Sequence, residues 1–486
     1  MALSMTREEA TAIAYGDPEI VVEVLLQLSA SVERLQCRVE QLERKVAELT
    51  KDSSNSSKPP SSDGPATKPK PRRAKKSRMR KPGGQPGHKG HNRELIPTEE
   101  VDAVKELLPE SCEQCRSPLQ AATGGSELLG NYLRYQVIDI PPIKARVTEY
   151  HLRCVKCGCG ATTWAEIPSH ARSGFGARLT ALLVYLTACH RVTRRGCQEI
   201  AQTLLGIDIS LGSVCKLHQE VSQALEPSYL EVRKTLSDQA VLNVDETGWR
   251  SMGKRMWLWI FVTSHTAFFT VSRSRGSKVL KEVIGAVFSG VLCSDRFSAY
   301  NAYHKGLRQV CWAHILRDLK GVKHPCRSPD AVKFSKWMLK EIGRMFTLWH
   351  ACRAGNVDRQ TLVQKSVPIK ARMNRCLQIY LDSSDHEVHT FAKGLLKHWP
   401  HLFTFLAHEG VEPTNNSAER GIRPAVQWRK ICFGNRSEKG ELLTARLLTV
   451  TRTCILQQRN PFEFLVDSLK AHRQGRTSPS LLTASR

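Results

Sequence analysis

Asp245 and Asp295 each end a short apolar run, Val241-Leu242-Asn243-Val244-Asp245 and Val291-Leu292-Cys293-Ser294-Asp295. If the two runs are neighbouring strands, their carboxylates lie a few ångströms apart, and like charges at that range need a bridging cation. Hard oxygen ligands with open positions suit Mg²⁺ or Mn²⁺. Two such ions ~3.5–4 Å apart can activate a water or a 3′-hydroxyl and stabilise the leaving oxygen of a phosphodiester. A third carboxylate is needed for the second ion, and Glu419 is the best candidate. Asn416 or Ser417 can cap a helix there, which puts Glu419 in its first turn, where the helix dipole favours negative charge. Arg420, Arg423, Arg429, Lys430 and Arg436 surround it and are expected to meet phosphate. Glu246 and Asp318 are alternative carboxylates, with Glu246 directed to the other face if its strand continues. His314 can contact phosphate, transfer a proton or simply pack. Arg296 follows the second aspartate and can either pair with it or point to nucleic acid.

A second chemistry belongs to cysteine pairs. Cys112-x-x-Cys115 and Cys154-x-x-Cys157, 38 residues apart, place four thiolates for one tetrahedral structural Zn²⁺. Four sulfurs leave no open position, so this zinc is not catalytic. Cys159 is a spare ligand, and Arg116 stands where a knuckle commonly has glycine. Tyr132 to Leu152 has strand character and would carry the two pairs together.

The elements that position the carboxylates follow. After the first run, Met256 to Thr263 and Ala267 to Ser272 read as strands, Lys278 to Ala286 as a helix, and Arg308 to Trp312 as a fifth strand leading into a helix at Ala313 to Leu319. Three strands, a helix, a strand, a helix and a further strand suit a ribonuclease-H-like arrangement, in which the first and fourth strands are neighbours. Phe334, Trp337, Met338, Ile342, Met345, Phe346 and Trp349 have helical spacing, as do Val388, Phe391, Leu395 and Trp399, and Pro368 is expected to divide the middle helix. These stripes are read as core.

Upstream, Val21, Leu25, Leu28, Val32, Leu35, Val39, Leu42, Val46 and Leu49 form a heptad with Val at a and Leu at d, a pattern that favours a parallel dimeric coiled coil. A Ser-rich stretch follows. From Lys68 to Arg93 there are eleven Lys/Arg and no acid. Lys75, Lys76, Arg78, Arg80 and Lys81 in that run can neutralise phosphates without fixed structure. Arg194 to Leu205, a turn at Gly206, and Ser210 to Leu225 read as a helix-turn-helix. The net charge of +26 over 486 residues points to a polyanionic partner, nucleic acid first. The longest apolar run, around Leu179 to Cys189, is far short of the ~20 residues of a membrane span. Sixteen cysteines without an export signal imply a reducing, cytoplasmic setting.

Four motifs together resemble the large transposase of the insertion-sequence-66 family, a DDE transposase. They are Asp245-Glu246-Thr247, Ser294-Asp295-Arg296-Phe297-Ser298-Ala299-Tyr300, Cys311-Trp312-Ala313-His314-Ile315-Leu316-Arg317 and Asn415-Asn416-Ser417-Ala418-Glu419-Arg420. The Ser53 to Asp63 stretch, Gly83-Gly84-Gln85-Pro86-Gly87-His88 and the cysteine pairs also resemble that family's N-terminal half. The resemblance implies that Asp245, Asp295 and Glu419 are the acidic triad. It implies too that a helical insertion explains the 124 residues between Asp295 and Glu419, and that two small accessory proteins accompany the chain. The expected activity is metal-dependent cleavage at insertion-sequence ends and 3′-hydroxyl strand transfer into target DNA, with two Mg²⁺ or Mn²⁺ ions, in a bacterial, nucleoid-associated protein.

The expected architecture is multidomain α+β. It comprises a coiled coil at 18–50, a disordered basic linker at 51–93, a zinc-binding domain at 94–170 and a helical helix-turn-helix-like DNA-binding domain at 171–236. The ribonuclease-H-like core occupies 237–324 and 412–470, around a helical insertion at 325–411. A disordered tail at 471–486 closes the chain.

Overall fold

The computed structural model describes residues 6–49, 93–119, 132–322 and 328–482. The chain forms two compact units, one from Lys68–Arg146 and the other from Met1–Thr67 with Val147–Arg486. The basic run holding Lys75, Lys76, Arg78, Arg80 and Lys81 lies outside the described residues.

In the smaller unit, Gln136 accepts from the Ile96 backbone N–H through Oε1 (2.9 Å) and donates to its carbonyl through Nε2 (2.8 Å). The expected strands between the cysteine pairs do not form. Tyr132 to Arg146 has no ladder, and Val137, Ile138 and Ile140 are exposed. Alternation alone does not make a strand when no partner strand supplies the hydrogen bonds.

The larger unit begins with helices α1 (Arg7–Ala14) and α2 (Pro18–Leu49). The a and d side chains of α2 from Leu25 to Leu49 are exposed, from 47% at Val32 to 81% at Leu49. A short hairpin follows, β1 (Cys154–Lys156) with β2 (Thr162–Trp164). Four helices come next, α3 (Ala177–His190), α4 (Arg194–Leu205), α5 (Leu211–Ala224) and α6 (Glu226–Lys234). Thr193 and Ser210 cap α4 and α5 through their hydroxyls, and Gly206 ends α4 in the left-handed conformation (φ 63°). Leu183 of α3 joins Cys197, Ala201, Ile209, Val214 and Leu217 in a buried cluster that closes the α4–α5 helical hairpin.

The centre is a five-stranded sheet of β3 (Val241–Ser251), β4 (Lys254–Val262), β5 (Ala267–Ser272), β6 (Val291–Ser294) and β7 (Arg308–Val310), with α7 (Ser277–Ile284) and α8 (Ser298–Tyr303) between strands. The order is β5-β4-β3-β6-β7. The first three strands are antiparallel neighbours, and β6 and β7 run parallel to β3. The first and fourth strands of the sheet are therefore side by side, as the sequence pattern required. β3 does not end at Asp245, as expected. It runs to Ser251 because Glu246, Thr247 and Gly248 stay paired with β4 and Trp249 is buried beyond them.

After β7 come α9 (Trp312–Val322), α10 (Pro329–Arg353), α11 (Arg359–Ile379), α12 (His386–Lys397) and α13 (Thr404–Ala407). Their apolar stripes make a separate buried cluster that includes Phe334, Met338, Ile342, Met345, Leu362, Val388 and Leu395. Pro368 does not divide the middle helix, and α11 runs through it unbroken. Buried side chains on both sides of it, Leu362, Ser366, Ile369 and Met373, hold the helix across the missing N–H.

The chain then returns to the sheet with α14 (Asn416–Cys432), α15 (Glu438–Leu456) and α16 (Pro461–Arg473). α15 covers the edge strand β5, where Thr453 and Thr449 hydroxyls accept from the N–H groups of Ala267 (3.1 Å) and Phe269 (2.9 Å). The open edge is thus closed by side chains rather than by another strand. Arg473, at the end of α16, forms a two-point pair with Glu220 of α5 (2.8 Å each). The expected disordered tail is packed as far as it is described. Leu481 is fully buried and its N–H donates to Glu231 (2.9 Å). Leu481 gives this stretch something to bury, while Leu482 stays exposed. No described helix is long and apolar enough to cross a membrane.

Candidate active site

The parallel register pairs Val241 with Val291, Leu242 with Leu292 and Asn243 with Cys293. Carried two residues further, the same offset sets Asp245 against Asp295, just where β6 ends and the strands part. Alternation along β3 puts Asp245 on the face that also carries Asn243. Glu419 stands in the first turn of α14, near enough for its charge to act on Asp245, and the start of that helix is held by Asn415. The Asn415 side chain donates to the Val244 carbonyl on β3 (2.8 Å), and its backbone N–H donates to Cys311 Sγ at the end of β7 (3.1 Å). The cap position falls on Asn415, one residue before those expected, and its side chain fastens the helix to the sheet instead of capping it.

The three acids act on one another. Burial pushes the Asp245 carboxyl well above its ordinary value, and the charged groups acting most strongly on it are all acidic, Glu246, Asp295 and Glu419. Asp295 is also raised by burial, against the Phe297 N–H (2.8 Å) and the guanidinium groups of Arg275, Arg296 and Arg308, which favour its charged form. Burial raises Glu419 too, opposed by Arg317 and Arg423 and assisted by Asp295. Residues from three distant stretches of sequence therefore share one electrostatic neighbourhood, and all three remain half-buried rather than sealed.

Nearby groups divide into partners and alternatives. Glu246 is not available as a ligand. Arg275 holds it through Nε (2.9 Å) and Nη2 (2.8 Å), and the Tyr300 hydroxyl donates to its other oxygen. Burial and the nearby Asp295 charge raise Glu246 to about 7. Arg296 bonds neither to Asp295 nor to solvent alone, since it pairs with Asp318 and lies over the Phe391 ring. His314 Nδ1 sits 3.5 Å from Glu419 Oε1, and burial lowers this histidine to about 3. Arg317 Nη2 lies 3.4 Å from the same oxygen. Sequence reasoning did not single out Asn415, Arg275, Tyr300 or Cys311. Asn415, Tyr300 and Cys311 stand inside the quoted motifs, and Arg275 had no signal in the sequence.

On α14, Arg420, Arg423 and Lys430 are exposed, at spacings of three and seven that keep them on one helical face. Arg429 departs from expectation. It turns inward and donates to Thr247 Oγ1 (3.1 Å) and to the Gly248 carbonyl, a clamp between α14 and β3.

The cysteine pairs lie in different units and each makes its own reversal. In the smaller unit the Cys112 N–H donates to Ser117 O and the Arg116 N–H to Cys112 O (2.9 Å each). Hydrogen bonds from Ser117 and then Cys112 draw Cys115 down to about 7. Arg116 adopts φ 60°, the left-handed conformation that glycine takes without strain. In the larger unit Cys154 opens β1 and Cys157 begins the turn to β2. Cys159 hydrogen-bonds with Cys157 and lowers it, so the spare cysteine is the thiol beside Cys157.

The oxygen donors fit hard divalent cations. No basic side chain among the described residues pairs with Asp245, and the buried side-chain oxygens of Asn243 and Asn415 have no hydrogen-bond donor. This donor-poor cluster of oxygens is what Mg²⁺ or Mn²⁺ ligation requires.

Comparison with known proteins is consistent with this geometry. The family model described as "Transposase IS66 family" matches residues 172–441, which span the helical domain, the sheet, the insertion and Glu419. A family of unknown function (DUF6444) matches residues 6–94. The chain is 24% identical over 376 residues to the uncharacterized protein y4jD of Sinorhizobium fredii (strain NBRC 101917 / NGR234), covering 71% of this chain and 72% of that one. It is 23% identical over 417 residues to the uncharacterized protein y4hP of the same strain, covering 75% and 73%.

Proposed function

The chain belongs to the IS66 family of transposases, and we propose that it is a DDE-type DNA transposase with Asp245, Asp295 and Glu419 as its acidic triad. The observation that carries this reading is the β3–β6 register, which sets Asp245 beside Asp295, together with the Asn415 bond to Val244 that fastens the start of α14, and so Glu419, to the same strand. The strand order with β3 and β6 adjacent supports a ribonuclease-H-like core. Asp245, Asp295 and Glu419 would hold a pair of Mg²⁺ or Mn²⁺ ions, which would supply activation of a water or 3′-hydroxyl and charge compensation at the leaving oxygen.

The chain's own residues do the positioning. Asn415 and Arg429 tie α14 to β3 and so fix Glu419 relative to Asp245. Arg275 and Tyr300 hold Glu246 away from the ligand set. Arg420, Arg423 and Lys430 present cations to DNA phosphates from the same helix. The α4–α5 hairpin and the basic run 68–93 contribute further DNA contact, and the exposed heptad face of α2 pairs two chains so that two ends are held together. The tight cysteine reversals suit structural Zn²⁺. The products are cleaved insertion-sequence ends joined through their 3′-hydroxyls to target DNA. Accessory proteins and a nucleoid setting belong to this same reading.

The test is purified full-length chain on labelled DNA carrying the element's ends, with Mg²⁺ and with chelator. Asp245→Asn, Asp295→Asn and Glu419→Gln are each expected to abolish cleavage and strand transfer while end binding persists. Wild-type cleavage by any of the three removes that residue from the triad, and chelator-resistant cleavage defeats the proposal.

A further inference from the structure

Cys311, His314 and Glu419 offer a sulfur, a nitrogen and an oxygen that all lie within 4.8 Å of one another. This donor set differs in kind from the all-oxygen triad. Thiolate and imidazole select borderline or soft cations, Zn²⁺ or Co²⁺, over Mg²⁺. The dimensions fit. Zinc bonds of ~2.0–2.3 Å place tetrahedral ligand atoms roughly 3.4 Å apart, and His314 Nδ1 stands 3.5 Å from Glu419 Oε1. That nitrogen is buried and has no hydrogen-bond partner. Cys311 is fully buried where β7 meets α9, and the backbone N–H groups of Asn415, His314 and Ala313 are directed at its sulfur. Such N–H···S bonds orient and stabilise a metal thiolate. The His314 and Glu419 side chains retain 17% and 29% exposure, which leaves a way in from solvent. Arg317 Nη2, 3.4 Å from Oε1, has to yield that oxygen when a cation arrives.

We propose that Cys311, His314 and Glu419 form a second metal site, for a zinc-like divalent cation, and that filling it withdraws Glu419 from the Mg²⁺ or Mn²⁺ set. Binding exchanges the Cys311 thiol proton for the metal and releases it to solvent. The withdrawal, though not the site itself, rests on reading Glu419 as the third acid of the triad. Zinc then acts as an inhibitor that competes for one shared carboxylate.

Cobalt(II) titration of the full-length protein tests the site. The wild type minus Cys311→Ser difference spectrum is expected to show a sulfur-to-cobalt charge-transfer band and tetrahedral d–d bands saturating at one equivalent. Subtraction cancels metal held by the other cysteines. His314→Asn is expected to lose the same bands, and Asp245→Asn to keep them. Thermal melts and far-ultraviolet circular dichroism identify any variant that fails to fold. In that case Cys311→Ala, measured the same way, takes its place. Superimposable spectra and equal bound cobalt in folded wild type and Cys311→Ser overturn the site. In the second arm Zn²⁺ is added to Mg²⁺-supported DNA cleavage, and Cys311→Ser is expected to need at least about tenfold more zinc for half-inhibition of its own rate. Equal sensitivity overturns the sharing of Glu419. If the cobalt bands are present but the triad substitutions leave cleavage intact, the triad falls and the metal site stands. If the bands are absent while cleavage needs Mg²⁺ and the triad, only this inference falls.

Discussion

Gly421 lies two residues beyond Glu419, where α14 rests directly on the sheet. A Cβ there would stand 2.6 Å from Cδ1 of Ile260 and 3.4 Å from Cγ2 of Val262. Ile260 is fully buried and sits directly opposite Asp245 in the β3–β4 pairing. Carbon atoms settle at ~3.5–4.0 Å, so Gly421→Ala requires the buried Ile260 side chain and α14 between them to give by about 1 Å. Helix propensity gains about 1 kcal/mol from the change, and overpacking costs about 1–3 kcal/mol. The net loss of stability is therefore small, about 0–2 kcal/mol. The effect on activity is expected to be much larger, because a misplacement of about 1 Å at a reacting centre costs on the order of 10²-fold. Ile260→Val removes the offending Cδ1 at about 0.5–1.5 kcal/mol of its own. The double variant should recover most of the cleavage rate, with a favourable coupling of about 1 kcal/mol in urea unfolding. The assay is Mg²⁺-dependent cleavage beside equilibrium unfolding of all four proteins. Wild-type cleavage by Gly421→Ala, or strictly additive behaviour of the double variant, refutes the claim that this contact sets the position of Glu419.

Two further expectations separate DNA contact from scaffold and fix a pH dependence. Alanine at Arg420, Arg423 or Lys430 should each flatten the slope of log affinity for DNA against log salt by about 0.9. Arg429→Ala should leave that slope unchanged and cost about 1–3 kcal/mol of stability, because its partners are the Thr247 hydroxyl and the Gly248 carbonyl. His218 is buried between Val214 O (2.8 Å) and Thr187 Oγ1 (3.0 Å), and burial lowers it from 6.5 to about 4. The unfolded chain thus takes up this proton first. Stability from a neutral His218 is whole above about pH 6.5 and is lost as pH falls toward about 4. Over that window the wild type should lose about 3 kcal/mol more than His218→Gln, read from urea midpoints. Equal losses would assign the acid sensitivity to other groups.

The neighbouring placement of Asp245 and Asp295 and the helix that begins before Glu419 were legible because apolar runs and an Asn-rich entry into a helix leave local marks. The sheet order was legible for the same reason, since five short runs and their connections allow few arrangements. What was not legible depends on contacts between distant residues. Glu246 reads as a fourth ligand until Arg275 and Tyr300 arrive from 29 and 54 residues away. Arg429 reads as one more phosphate contact until β3 supplies carbonyl and hydroxyl partners. Pro368 reads as a break until the buried stripe of α11 carries the helix through it. Tyr132 to Arg146 fails in the opposite sense, having the strand pattern without a strand to pair with.

The distance of α14 from the rest of the triad along the chain sets an order of synthesis. Asp295 leaves the ribosome 124 residues before Glu419, on the order of ten seconds earlier at typical rates of synthesis. Under the proposed assignment, the nascent chain carries its pairing helix α2 and two of its three acids for that whole interval, and it cannot cut the template it is being made beside. A chain that terminates anywhere within the insertion stays in that state permanently. Under the proposed pairing it would join a full-length copy through α2 and contribute no competent centre of its own.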